Sequence, residues 1–413
     1  YPSVTDAPDG IELAVMSLPR QAVLPAIREC LGKGIKAIIV VTQGFGDADA
    51  EGQAMQREMV RVARAGGARI IGPNTFGTAN VFRSFSTSFR SLEMDRSPIG
   101  IICQSGFFFI GRRDFKFLGK GIDLGNACDV DFADALEYFE HDPQIQVIVM
   151  HIEGLRDGRK FMEVASRVAQ RKPILVLKTG RSRQGARAAA SHTGSLAGSD
   201  QVYDAMFKQT GLIRVQDLDD MEDTAKAFLH LPLPEGDRVG IFTVTGAGGT
   251  IAADACDKYG MAVARFSSST AKKLEALCPP WFKAGNPFDF WPSVMISGRP
   301  YREVYRTTLE AVLADNGVDA ALSICPAFPH IEARNISGIL PRVTDAFPGK
   351  PVVTWAYSPR FGQEMERLQA TGKTAVYPTA DRAIRALSRL VQRRRFLEAM
   401  SSPANGEVKV AAS

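Results

Sequence analysis

Nine short apolar runs recur along the chain, most of them ending on Gly, Ser, Thr, Pro or Asn: IELAVMSL, KAIIVVTQG, ARIIGPN, PIGIICQSG, IQVIVMHIEG, KPILVLKTG, RVGIFTVTGAGG, DAALSICPA and KPVVTWAY. Such β-branched runs lack the in–out alternation of a half-wet strand, so they predict strands covered on both faces. Between them lie segments with helical periodicity, among them DALEYFEHD, GRKFMEVASRVAQR and SSTAKKLEALC. Strand and helix in alternation predict an α/β protein built on parallel sheets with crossover helices.

Composition breaks at SLEMDRSP (91–98) and HLPLPEGD (230–237), where Pro and charge interrupt the alternation. Three doubly wound domains are therefore expected, over 1–95, 96–232 and 233–400, with a polar flexible tail at 401–413. The first would hold only three strands, few for a freestanding sheet, and its opening βαβ unit reads as missing. The sequence begins on Tyr1 rather than Met, which suits a segment lost upstream.

The totals exclude several classes. Lys and Arg number 50 against 45 Asp and Glu, a net charge of +5. That modest balance suits anionic ligands but lacks the clustering of a nucleic-acid binder, and the run RLVQRRRF reads as a solvated helix face. The six cysteines are scattered with no CxxC pair, which argues against a disulfide framework or a zinc site and for a reducing cytoplasm. No signal peptide is apparent, and no apolar run approaches the length that spans a bilayer.

Chemistry in open parallel sheets sits beyond the carboxyl ends of the strands, where helix N-termini present N–H groups and partial positive charge. CQSG places Ser105 and Gly106 at one such turn, and TGAGGT places Gly246, Ala247, Gly248 and Gly249 at another. Either alone reads more simply as a tight turn with close packing. GAGGT lacks the Lys of a nucleotide P-loop, and Cys103 stands where a nucleophile elbow needs Gly. Glu153 closes a buried apolar strand, where a carboxylate is costly without a partner. His192 follows after one further strand, in the small-residue segment AAASHTGSLAGS. A carboxylate fixing one ring nitrogen would leave the other as a nucleophile; a loop histidine satisfied by a carbonyl is the competing reading.

Taken in order, IIGPNTFG, CQSG, LGNACDVDFADALEYFEHDP, IEGLRDGRKF, LKTGRSRQGARAAASHTGSLAGSD, GAGGTIAADA and GNPFDF resemble the α subunit of the NDP-forming acyl-CoA synthetases, the superfamily of ADP-forming acetyl-CoA synthetase and succinyl-CoA synthetase. The resemblance covers nearly the whole chain. It implies a truncated Rossmann-like CoA-binding domain followed by two flavodoxin-like, succinyl-CoA synthetase-like domains. By that resemblance His192 is phosphorylated, Glu153 orients its ring, and the turns at Ser105–Gly106 and Gly246–Gly249 meet the phosphoryl group with backbone N–H groups. Coenzyme A would be held by Ser17, Leu18, Pro19 and Arg20, by Thr42, Gln43, Gly44 and Phe45, and by Gly72, Pro73 and Asn74.

The reaction so implied interconverts acyl-CoA, ADP and phosphate with a carboxylic acid, CoA and ATP. Nothing in the chain resembles an ATP-grasp module, so ATP or ADP and Mg²⁺ are expected on a partner β subunit or a fused domain, with no metal site on this chain. An oligomer is the family's habit. The aromatics at 107–109 read as core filling, while Phe288, Phe290 and Trp291 raise a bulky or aromatic acyl substrate. A non-catalytic CoA-binding regulatory or scaffolding module is the alternative, and a nicotinamide-dependent dehydrogenase fails for want of GxGxxG.

Overall fold

Every residue is buried in four of the strands that the apolar runs form: Ile99–Cys103, Val147–Ile152, Ile174–Lys178 and Ala320–Pro326. The computed structural model describes residues 1–89, 92, 96–110, 118–182, 184–185, 199–326, 336–357 and 361–401. Among them the chain forms two compact units, 1–221 and 222–413.

The first unit holds two sheets. Strands β1 (Leu13–Met16), β2 (Ala37–Val40) and β3 (Arg69–Ile71) form a parallel three-stranded sheet in that order. A seven-stranded sheet is made from β4 (Thr78–Asn80), β5 (Phe85–Ser86), β6 (Ile99–Cys103), β7 (Lys120–Asp123), β8 (Val147–Ile152), β9 (Ile174–Lys178) and β10 (Ile213–Val215). Its order is β10-β9-β8-β6-β7-β4-β5. The doubly wound parallel part, β10 to β7, accords with the expected class. Strand β4 instead runs antiparallel to both β7 and β5. These two strands fall within the first segment as delimited from the sequence, yet they hydrogen-bond into the second sheet.

The second unit is built on β11 (Arg238–Thr243), β12 (Ala262–Val263), β13 (Phe288–Asp289), β14 (Ala320–Pro326), β15 (Val352–Tyr357) and β16 (Ala375–Tyr377). All pairings are parallel, in the order β12-β11-β14-β15-β16 with β13 added to β11.

Helices begin where short polar side chains can satisfy their first N–H groups. Asp49 accepts from Gly52 N, Asp157 from Lys160 N and Ser267 from Thr270 N, while Asp131 and Asp134 form a reciprocal capping box. The helix Gly158–Arg171 buries Phe161, Val164, Ala165, Val168 and Ala169, a single stripe at helical spacing. Burying one such phenylalanine stabilises the fold by roughly 1.5–3 kcal/mol, so the stripe fixes which face meets the sheet. With crossover helices setting strand direction, the exits of β6, β8 and β9 come to one edge of the large sheet, and those of β1, β2 and β3 to one edge of the small one.

Candidate functional site

At the large sheet, β6 leads into Gln104, Ser105 and Gly106 and then the helical residues Phe107–Ile110. Gly106 is required sterically, because a Cβ there would lie 1.9 Å from the Phe76 ring. Strand β8 pairs with β6 and ends one residue before Glu153, which is only 8% exposed. Oε1 of Gln104 accepts from Glu153 N at 2.8 Å and from Gly154 N at 3.1 Å. The carboxylate turn and the Ser105–Gly106 turn are thus joined by one side chain. Strand β9 is β8's other neighbour, and the segment carrying His192 follows it. His192 itself lies outside the described residues.

The aromatics beside the turn are not uniformly core. Phe107 is 56% exposed, against the core-filling expectation, and Phe108 stacks on His151 at 4.4 Å between ring centroids. His151 Nε2 is 2.9 Å from Thr179 Oγ1. It lies on β8 two residues before Glu153, a second imidazole to which no sequence signal points.

At the small sheet the expected cofactor residues do share one edge. Thr42 Oγ1 donates to Leu18 O at 2.7 Å, Asn74 N donates to Thr42 O at 2.9 Å and Arg20 Nη1 donates to Gly44 O at 2.9 Å. Ser17, Leu18, Pro19 and Gln43 are exposed there. A cleft of about 770 Å³ opens beside β1, lined by Ser17 and Leu18 with Ile11, Val15 and other residues. Gly72 adopts φ 101°, and a Cβ there would meet Val40 O at 2.5 Å.

Two of these residues are engaged within the chain. Phe45 is wholly buried in the core with Val23, Ile27 and Met59, so its ring supports the turn from beneath. Arg20 is held by Asp49 at 2.9 Å and Glu51 at 2.8 Å, and the hydrogen bond it donates to Asp49 raises its pKa. Its charge is matched within the chain.

The two edges are coupled. Asp123, at the end of β7, accepts from Phe76 N at 2.7 Å and from Gly125 N at 3.3 Å, with Cys103 Sγ 3.8 Å away. Burial pushes its carboxyl up to about 6 against those N–H groups. Beyond it, Asn126 N donates to Pro73 O at 2.9 Å, and the Asn126 side chain donates to Asp47 Oδ1 at 2.8 Å. Burial raises the Asp47 carboxyl, but Asn126 and the N–H groups of Gly44 and Phe45 together hold it below the ordinary range. No sequence signal points to Asp47, Asp123 or Asn126, although Asn126 lies within the motif LGNACDVDFADALEYFEHDP.

In the second unit, β11 runs through Val244 and Thr245 into the helix Gly246–Lys258. Gly246 and Ala247 are exposed, while Gly248 and Gly249 are buried; a Cβ on Gly249 would approach Pro287 to 2.8 Å. Thr245 makes no side-chain cap hydrogen bond to the first turn. Asp289 stands beside Gly246, 3.6 Å from where a Cβ would be, and its Oδ1 accepts from Trp291 N. Phe288 and Phe290 are fully buried against Phe242, Phe282, Tyr301 and Tyr305, so they line no cleft. Among the described residues no group of three or more His, Cys, Asp or Glu is placed to hold a metal ion.

Comparison with known proteins places this geometry. Residues 1–80 match the CoA binding domain and residues 96–228 the succinyl-CoA ligase-like flavodoxin domain. The α subunit of acetate–CoA ligase (ADP-forming) II from Pyrococcus furiosus is 35% identical over 401 residues, covering 95% of this chain and 86% of that protein. The chain belongs to the α subunits of the NDP-forming acyl-CoA synthetases. It is therefore the α part of an acid–thiol ligase. An acetyl-coenzyme A synthetase 1 from Ca. Korarchaeum cryptofilum, solved with phosphate and ADP, superimposes on this synthetase chain with a TM-score of 0.83 at 31% identity, over 97% of this chain and 87% of that one. The 4-hydroxybutyrate–CoA ligase (ADP-forming) of Nitrosopumilus maritimus is 31% identical, and this α part spans 56% of its length.

Proposed function

We propose that this chain carries the phosphoryl group of the ligase reaction on His192, with Glu153 orienting the imidazole. Acyl-CoA and phosphate give acyl phosphate and CoA; an imidazole nitrogen of His192 then attacks phosphorus, the P–O bond to the acyl oxygen breaks and the carboxylic acid leaves. The phosphohistidine passes the group to ADP, and synthesis of the thioester is the reverse. The observation that carries this reading is the placement of Glu153: buried at the exit of β8, bonded through Gln104 to the Ser105–Gly106 turn, next to the strand from which the His192 segment departs.

Each turn contributes in its own way. The N–H groups at Gly246 and Ala247 open a thirteen-residue helix, and a helix N-terminus favours a dianionic phosphoryl group by roughly 0.3–1 kcal/mol, without a permanent cation. Ser105 and Gly106 supply further donors. CoA is a substrate here, held by the exposed Ser17, Leu18, Pro19 and Gln43 and by the backbone of Thr42, Gly44, Gly72, Pro73 and Asn74. ADP or ATP with Mg²⁺ sits on an ATP-grasp module supplied by a partner subunit or a fused domain, and the working enzyme is an oligomer. The fused length of the Nitrosopumilus relative supports a module beyond this chain. We assign the enzyme to the cytoplasm, which suits six scattered cysteines with no CxxC pair. Among the described residues no helix is long and apolar enough to cross a membrane.

The test is acid-labile, base-stable phosphate on this chain, supplied with its candidate ATP-grasp partner, Mg²⁺ and labelled ATP, in wild type and His192→Ala. Label on wild type alone is expected. No label on either, with a competent partner, would replace this reading with a non-catalytic CoA-binding module.

A further inference from the structure

The turn that carries Glu153 is gripped by side chains from three separate elements. Gln104, leaving β6, accepts from the N–H groups of both Glu153 and Gly154. Lys178, the last residue of β9, donates from Nζ to Glu153 O at 2.9 Å and also to Thr179 O. Tyr203, on the helix Asp200–Thr210, accepts at its hydroxyl from Leu155 N at 3.2 Å. The grips brace one another, because Lys178 Nζ lies 4.6 Å from the centroid of the Tyr203 ring.

All three side chains are buried, Lys178 to 2% exposure. A buried ammonium is costly, and burial lowers the Lys178 pKa even against the opposing pull of Asp200 and Glu153. Backbone groups at the end of a strand are ordinarily satisfied by water or a turn, with no buried charge required. Here four backbone groups of one turn, Glu153 N and O, Gly154 N and Leu155 N, receive three dedicated side chains. Fixing N, C=O and the next two N–H groups fixes the direction in which the Glu153 side chain leaves the backbone. Tyr203 also sits in the first turn of the helix Asp200–Thr210, so the same grip ties that helix to the turn that carries Glu153.

We propose that Gln104, Lys178 and Tyr203 are positioning residues for phosphoryl transfer, holding Glu153 at the angle its carboxylate needs to orient His192. This rests on the reading given under Proposed function. The grip acts only through Glu153, so its loss matters only while Glu153 is present.

The experiment is a double-mutant cycle read by the single-turnover rate of acid-labile labelling from ATP, using the full chain with its ATP-grasp partner. Gln104→Met and Tyr203→Phe are each made in the wild type and in Glu153→Gln. A small misplacement of a catalytic group costs on the order of 10- to 100-fold. That slowing is expected for each variant in the wild type, with less than about twofold further change in the Glu153→Gln background. Tyr203→Phe removes one oxygen and guards against misfolding, which the melting midpoint checks. Equal slowing in both backgrounds, or none in the wild type, overturns the proposal while leaving the phosphohistidine intact. A wild-type chain that takes no label overturns both.

Discussion

Asn126 reaches from the turn after β7 to Asp47 in the turn after β2, donating its side-chain amide to Oδ1 at 2.8 Å and to Gln56 Oε1 at 3.2 Å. Asp47 in turn accepts from Gly44 N and Phe45 N. The shape of one expected CoA turn is therefore set by a residue of the neighbouring sheet. Asn126→Ala should weaken CoA binding by about 1 kcal/mol, near fivefold, the usual worth of one such hydrogen bond. Labelling from ATP does not use CoA and should be unchanged. Isothermal titration with CoA and the labelling assay, run on the same preparation, check the split.

Gly106 and Phe76 form a steric pair, with room for a ring only because the glycine has no Cβ. Gly106→Ala should destabilise the protein by about 1–3 kcal/mol, as overpacking does, and slow phosphohistidine formation. Adding Phe76→Ala should recover labelling relative to the single variant, because it removes the colliding ring. Urea unfolding and single-turnover labelling of the two variants provide the check.

Glu153→Gln keeps the shape of the side chain and removes the charge. If the carboxylate orients His192 and stabilises the ring as it is phosphorylated, labelling should slow about 100-fold or more. The melting midpoint, measured beside the labelling rate, separates this loss from a loss of folding.

Asp123 has a folded-state pKa near 6, raised by burial above the ordinary carboxyl value of 3.8. The unfolded chain releases this proton first as pH rises, so the contribution is fully present below pH 4 and is lost as pH climbs through 6. Roughly two pKa units correspond to about 3 kcal/mol. The stability of wild type relative to Asp123→Asn should therefore fall between pH 4 and 6 and level off above about 7. Urea midpoints for the two proteins at pH 4.5, 5.5, 6.5 and 7.5 test the sign.

The strands legible in the sequence lie within its apolar runs: β1, β2, β3, β6, β8, β9, β11, β14 and β15 all coincide with them, and β6, β8, β9 and β14 are buried throughout. The ones that escaped notice are short or poor in β-branched residues. Strand β4 is Thr-Ala-Asn, and β7 is Lys-Gly-Ile-Asp. Their pairing is decided by what the large sheet leaves open at its edge, which a local pattern does not encode. The site divides the same way. Glu153 was visible because a carboxylate ending an apolar run is chemically out of place. Asn126 and Asp47 are polar residues in polar turns, and only the fold brings together positions so distant in sequence. Phe45, Phe288 and Phe290 misled because a ring next to a ligand motif reads the same whether it points up or down.

Strand β4 leaves the small sheet's last turn through Thr75 to Gly77 and pairs at once in the large sheet, with Thr75 Oγ1 bonded to the Asp123 carbonyl and the Asp123 carboxylate to Phe76. A chimera that exchanges the first module between relatives and cuts near residue 77 would deliver a sheet without its fastening and leave its recipient with an uncovered β7. The workable junction lies past Ser86, so recombination should favour swaps that carry β4 and β5 along with the CoA turns.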